Sequence, residues 1–235
     1  LDGDVGYVRL RLFGASTAEE MHDAIDKLKS QGAHSLVLDL RNNGGGYVDA
    51  AVDVVSQFLE KENGLVVYTI DRNNRRREYR ADDRGSVGIP ILVLVNEFSA
   101  SASEITAGAL RDHGLAEILG VKSFGKGSVQ TILPLSNNTA IKLTTARYFT
   151  PSGNSIQAKG ISPDIYVPQS KLEILENNNS RREADLRGAL DSDNKKENDK
   201  NSSNDEDNTV NDYQLNRAIE LIRSINVYEN IKKAS

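Results

Sequence analysis

Apolar and polar positions alternate in part from Val5 to Phe13 (VGYVRLRLF), and this β-rich run predicts a first strand. Gly14-Ala15 turns the chain, and Ser16 with Glu19 three positions on is a capping-box signature. Met21, Ala24, Ile25 and Leu28 then recur at i, i+3, i+4 and i+7, which predicts an amphipathic helix that Gly32 stops. His22 neighbours that face as a surface or packing histidine. Ser35 to Leu40 (SLVLDL) reads as the next strand, so strand, helix and strand form a βαβ unit with parallel strands.

Further along, Tyr47 to Leu59 has helical periodicity, and Leu65 to Ile70 reads as a strand. Asp71 to Asn74 is a hairpin turn, and Arg75 to Tyr79 returns as a polar edge strand. Asp82 to Arg84 looks like a solvated loop. Ile91 to Val95 is an apolar strand of the buried type, followed by a helix from about Ala102 to Arg111. The short apolar run Leu115 to Leu119 and the segments Thr131–Leu135 and Ala140–Tyr148 complete the strand-like set. The texture changes after Val167-Pro168. Asp191 to Thr209 lacks apolar residues and is expected to be disordered. Tyr213 to Ile225 regains helical spacing through Leu215, Ala218, Ile219 and Ile222, and is expected to pack on the body or on a partner. The organisation predicted is a core over 1–170, a linker with an acidic tract over 171–209, and a C-terminal helix over 210–235.

Charge and composition narrow the function. The formal charge is -5, from 29 basic and 34 acidic residues. The acidic tract 191–209 holds seven acidic and three basic residues, hence -4, which leaves about -1 for the rest. A nearly neutral body without a basic stripe argues against nucleic acid as a partner. There are no cysteines, which excludes a thiol nucleophile and disulfides, and the three histidines show no metal-ligand spacing, which argues against zinc. No window of 18 or more apolar residues predicts a membrane helix.

Two stretches carry candidate chemistry. In Pro90 to Leu110 (PILVLVNEFSASASEITAGAL) a strand hands serines to the first turn of a helix, where free N–H groups and the helix dipole favour negative charge. Ser99, Ser101 and Ser103 compete for a nucleophile's role there, and pattern does not choose between them; each also fits a turn or capping role. In Arg41 to Gly46 (RNNGGG) a glycine triplet joins strand to helix. It lacks the GxGxxG spacing of a dinucleotide site and the Lys-Ser/Thr pair of a P-loop. It offers close backbone approach and exposed N–H groups, suited to an oxyanion or a peptide backbone, or simply a tight turn. Lys126 lies between two glycines. Serine needs a neighbour to remove its proton. A lysine does so only when neutral, which requires burial to depress an ordinary pKa of about 10.4.

These pieces resemble the catalytic domain of the C-terminal processing peptidases, also called tail-specific proteases. The resemblance rests on DLRNNGGG at 39–46, VLVNEFSASASEITAGAL at 93–110, FGKGSVQ at 124–130, LTTARYFTPSGNSIQAKGI at 143–161 and PDI at 163–165, and covers about residues 5 to 168. It implies a serine–lysine dyad with Ser101 as nucleophile and Lys126, 25 positions later, as general base. It further implies that Gln130 orients the lysine, and that the Ala102 N–H forms an oxyanion hole with one glycine of the triplet, Gly45 first and Gly46 second. Asp112 matches a supporting acidic residue. The implied fold is α/β, a twisted ββα-superhelix-like core resembling Clp protease and crotonase, with helices packed on the sheet. The implied activity is endoproteolysis near protein C-termini, without metal or cofactor. Its partners would be protein or peptide substrates with accessible C-termini, with a homo-oligomer allowed, in the periplasm or cell envelope of a bacterium. The PDZ domain that usually precedes the core has no counterpart here, so the chain is expected to be a fragment or to omit that module. Two rivals are weaker. A catalytically silent peptide- or apolar-ligand-binding module on the same fold would not need serine, lysine, glutamine and glycines together. An α/β-hydrolase would need a GxSxG elbow and a catalytic histidine, and His113 lacks that context.

Overall fold

The computed structural model describes residues 4–59, 64–82, 86–170 and 212–234, with side chains of the last helix described as far as residue 227. The whole expected linker, 171–209, with its acidic tract, lies outside the described residues. Five parallel strands form the main sheet: β1 (Val5–Arg9), β2 (Ser35–Asp39), β5 (Ile91–Val95), β6 (Ala116–Gly120) and β9 (Ile165–Tyr166), in the order β1-β2-β5-β6-β9. A second, antiparallel sheet has the order β4-β3-β8-β7, with β3 at Leu65–Asp71, β4 at Arg76–Arg80, β7 at Ser128–Pro134 and β8 at Ala140–Phe149. Four helices complete the described fold: α1 (Thr17–Ser30), α2 (Val48–Ser56), α3 (Ala102–Asp112) and α4 (Tyr213–Ala234). This is an α/β architecture with helices packed on sheet.

The centre of the parallel sheet is covered on both faces, as the unbroken apolar texture of β2 and β5 requires. Leu36, Leu38 and Leu40 pack with α1, α2 and α3, where Met21, Ile25, Val55 and Ile105 are buried. One residue out of phase, Val37, Leu92 and Leu94 face the other way and are covered by Leu215, Ala218 and Ile222 of α4. The expectation that the C-terminal helix packs on the body therefore holds. The helix runs to Ala234, past the predicted Ile225.

Two local readings need correction. The first strand stops at Arg9 rather than Phe13. Beyond Leu10 the chain leaves the ladder, Asn43 Nδ2 takes the Leu10 carbonyl, and Phe13 returns only as an isolated bridge to Gly46. Ser16 and Glu19 do not form a capping box: Ser16 has helical dihedrals, and its hydroxyl donates to Glu20 instead. The predicted hairpin of β3 and β4 is present, with β4 as an edge strand of the second sheet, which the hairpin joins through β3 and β8.

Candidate active site

Because the main sheet is parallel, the chain leaves β2, β5 and β6 at the same edge. In open α/β sheets the crevice outside these carboxyl ends is where ligands bind. The three segments leaving neighbouring strands are the glycine turn after β2, the serine run after β5 and the lysine loop after β6. The fold thus brings the sequence motifs to one edge.

Hydrogen bonds join the first two segments. The Ala100 N–H and the Ser103 hydroxyl both donate to the Asn43 carbonyl, at 3.0 and 2.9 Å. The Ser99 hydroxyl donates to the Leu40 carbonyl at 2.9 Å and accepts the Asn96 N–H at 2.9 Å. Asn42 and Asn96 exchange two further hydrogen bonds at 2.9 Å. Ser99 and Ser103 are fully buried and committed to these carbonyls. Ser101 differs. It is only partly buried, and its backbone adopts φ 57°, ψ -114°. A non-glycine residue there stores about 1–3 kcal/mol of strain and persists only when its surroundings enforce it.

Glu104 does much of the enforcing. Its side chain is fully buried and accepts four hydrogen bonds. One oxygen takes the Ser123 hydroxyl and the Gly125 N–H, both at 2.6 Å; the other takes the Lys126 N–H at 2.8 Å and the Ser101 N–H at 2.9 Å. Four donors fill the lone-pair positions of one carboxylate. A single side chain therefore ties the backbone of Ser101 to that of Lys126. The sequence reading did not single out Glu104. The signal was present: Ser101 and Glu104 have the S-x-x-E spacing in which the acid reaches back to the first residue's N–H.

The lysine loop is further clamped by the segment 156–160 and by β8. The Ala158 N–H donates to the Gly125 carbonyl at 2.9 Å, and the Tyr148 N–H to the Gly127 carbonyl at 2.7 Å. A Cβ on Gly127 would lie 2.3 Å from the Gln157 nitrogen, so the close packing needs glycine. The Lys126 side chain itself is exposed, and among the described residues no hydrogen bond joins its Nζ to Ser101 Oγ. Gln130 is exposed on β7 at a register shift after Val129, opposite Thr144.

Gly45 lies against the serine. A Cβ there would fall 2.8 Å from Ser101 Cβ and 2.9 Å from the Ala102 nitrogen, and its φ is 99°. The Gly45 N–H, however, is taken by Asn43 Oδ1 at 2.9 Å. Gly46 is exposed and its N–H has no partner among the described residues. The Ala102 N–H, at the first position of α3, also lacks an intrahelical partner. Asp112 sits at the far end of α3, about 16 Å along the helix from Ser101 by helical rise. It accepts the Ser152 N–H at 2.9 Å and so anchors the turn after β8 rather than touching the serine.

Behind the glycine turn lies a buried ionic cluster. Arg41 donates to both oxygens of Asp39, at 2.9 and 2.7 Å, and to both oxygens of Asp212, at 2.7 and 2.6 Å. The Tyr7 hydroxyl adds a 2.7 Å hydrogen bond to Asp39. Burial and then Asp39 push the Tyr7 hydroxyl up to about 12. Burial opposes ionisation of Asp212, but hydrogen bonds from Arg41 and from the Leu215 N–H hold its carboxyl below the usual range.

The family model of peptidase family S41 matches residues 4–167. The chain belongs to peptidase family S41. Proteins similar to it include a carboxy-terminal-processing protease of Bartonella bacilliformis, 44% identical over 234 residues, which are 95% of this chain and 53% of that protein. A carboxyl-terminal-processing protease of Synechocystis is 40% identical over 172 residues, 73% of this chain and 40% of that one. Among solved structures, a photosystem II D1 C-terminal processing protease superposes with TM-score 0.66 at 41% identity, covering 70% of this chain and 42% of the other. The chain thus spans about half, or less, of the length of these relatives. Among its described residues no helix is long and apolar enough to cross a membrane.

Proposed function

We propose that this S41 chain is the catalytic core of a serine endopeptidase that cleaves proteins near or from their C-termini. The observation that carries the reading is the delivery of the glycine turn, Ser101 and Lys126 to one sheet edge, with Glu104 hydrogen-bonded to the backbones of both dyad residues. Ser101 Oγ attacks the scissile carbonyl. Lys126 turns inward from its exposed position, takes the serine proton as the neutral amine and returns it to the leaving amine. Gln130, on the strand that leaves the lysine loop, orients the lysine. The tetrahedral oxyanion is held by the Ala102 N–H and by the glycine turn, where Gly45 gives the close approach and Gly46 has the uncommitted N–H. Water then hydrolyses the acyl-serine ester. Asp112 supports the site at a distance through the turn after β8.

Protein and peptide substrates with accessible C-termini, a bacterial periplasm or cell envelope, and the ββα superhelix of Clp protease and crotonase belong to the same reading. So do a 1–170 core, a 171–209 linker and a 210–235 helical unit. A homo-oligomer is supported by exposed apolar side chains on the β7–β8 hairpin, among them Ile132, Leu133, Ile141 and Leu143. The test is cleavage of an unstructured peptide with an apolar C-terminus by the purified chain and by Ser101→Ala and Lys126→Ala. Loss of cleavage in both folded variants is expected. Full activity in either ends the assignment.

A further inference from the structure

The S41 match ends at residue 167, yet α4 reaches back to the motif that begins the glycine turn. We propose that Asp212 and Gln214, at the start of α4, are positioning residues for the glycine turn, so that docking of the C-terminal helix sets the peptidase's oxyanion donors. The proposal rests on the peptidase reading.

Arg41 is one residue beyond Leu40, where the chain leaves the sheet for Asn42 to Gly46. Its side chain is buried, and the guanidinium fork is gripped from two directions. Asp39 holds Nε and Nη2; Asp212 holds Nη1 and Nη2, and Gln214 Oε1 accepts from Nη1 at 3.1 Å. Asp39 belongs to the same strand end as Arg41 and ties it only to the sheet, where the Tyr7 hydroxyl of β1 holds it. Asp212 and Gln214 anchor it outside the sheet, because they are fixed independently. The Leu215 N–H donates to Asp212 Oδ1 at 3.0 Å, the Gln214 amide donates to the Val167 carbonyl at 2.8 Å, and Leu215, Ala218 and Ile222 are buried against the sheet. A planar arginine held bidentately on two sides has little freedom. Without Asp212 it keeps Asp39 and the single 3.1 Å hydrogen bond to Gln214, and the turn loses its charged anchor at the start of α4. Oxyanion donors lose most of their effect when displaced by a fraction of an ångström to an ångström.

The experiment uses the full chain with Asp212→Ala, Asp212→Asn and Ala218→Glu, the last of which drives a charge into the buried helix face. Hydrogen exchange of the 42–47 amides is read beside kcat and KM on a peptide. Asp212→Ala is expected to speed exchange at 42–47 by about tenfold while the β2 and β5 amides stay protected. It is also expected to lower kcat about tenfold with KM within about twofold. Ala218→Glu should reproduce both effects from a distance. Unchanged exchange at 42–47, or exchange that rises equally across the sheet, overturns the proposal. Should Asp212→Ala fail to fold, Asp212→Asn is judged by the same readouts. If the unmodified chain cleaves nothing, the peptidase reading falls, while the exchange measurement still decides the coupling of α4 to the turn.

Discussion

The Ser101 N–H donates to Glu104 Oε2 at 2.9 Å, and that bond is part of what holds the serine at positive φ. The same oxygen holds the Lys126 N–H, so the acid fixes the two segments relative to each other. Glu104→Gln replaces an acceptor oxygen by an NH2 group facing backbone donors. It should therefore leave buried N–H groups unpaired. The expected cost is about 3 kcal/mol of stability in urea unfolding, with activity reduced about a hundredfold or more. Activity near that of the unmodified chain would show that the proposed dyad does not depend on this bridge.

The strain at Ser101 separates stability from activity. Ser101→Ala removes the hydroxyl but keeps a Cβ at φ 57°, so the strain remains. Ser101→Gly relieves it. Both variants should be inactive, and the glycine variant should be about 1 kcal/mol more stable than the alanine one. Equal melting temperatures would mean that the backbone relaxes when the hydroxyl is lost.

Much of this was legible in the sequence, for identifiable reasons. β2 and β5 read correctly because both of their faces are buried, which leaves uninterrupted apolar runs; α1 read correctly because only one of its faces is. The two-sheet arrangement did not read. Nothing local in β3 says that its neighbour is β8, about eighty residues away, rather than β2. At the site, the serine run offered three equivalent hydroxyls by pattern. Two prove to be buried and bonded to carbonyls of the β2 turn, a tertiary fact invisible to spacing. Glu104 was overlooked because an acid in the first turn of a helix ordinarily needs no further explanation. Asp212 sits beyond a charged low-complexity tract, and only folding makes it a partner of Arg41.

Gly45 tests the glycine turn directly. A methyl there would meet the Ala100 carbonyl oxygen at 2.7 Å and Ser101 Cβ at 2.8 Å, at a φ of 99° that disfavours any side chain. Gly45→Ala must push the turn away from the serine. A stability loss of about 2 kcal/mol is expected, with kcat falling more than KM changes. A variant with unchanged kcat would place the oxyanion donors elsewhere.

The ionic cluster behind the turn predicts an alkaline limit. Burial, reinforced by Asp39, raises the Tyr7 hydroxyl from an ordinary value near 10 to about 12. A phenol raised on folding contributes stability that is complete below its unfolded value and is lost as pH climbs toward the folded one. The window is therefore about pH 10 to 12. Tyr148, pushed up to about 12 chiefly by burial, titrates in the same window and must be separated from it. Tyr7→Phe removes the Tyr7 share alone, at the cost of the 2.7 Å hydrogen bond to Asp39. Unfolding free energies of the two proteins between pH 8 and 12 should show a shallower alkaline decline for Tyr7→Phe, starting from a lower value at pH 8. Parallel declines would mean that Tyr7 ionises as freely in the folded chain as in the unfolded one, and that Asp39 is held by Arg41 alone.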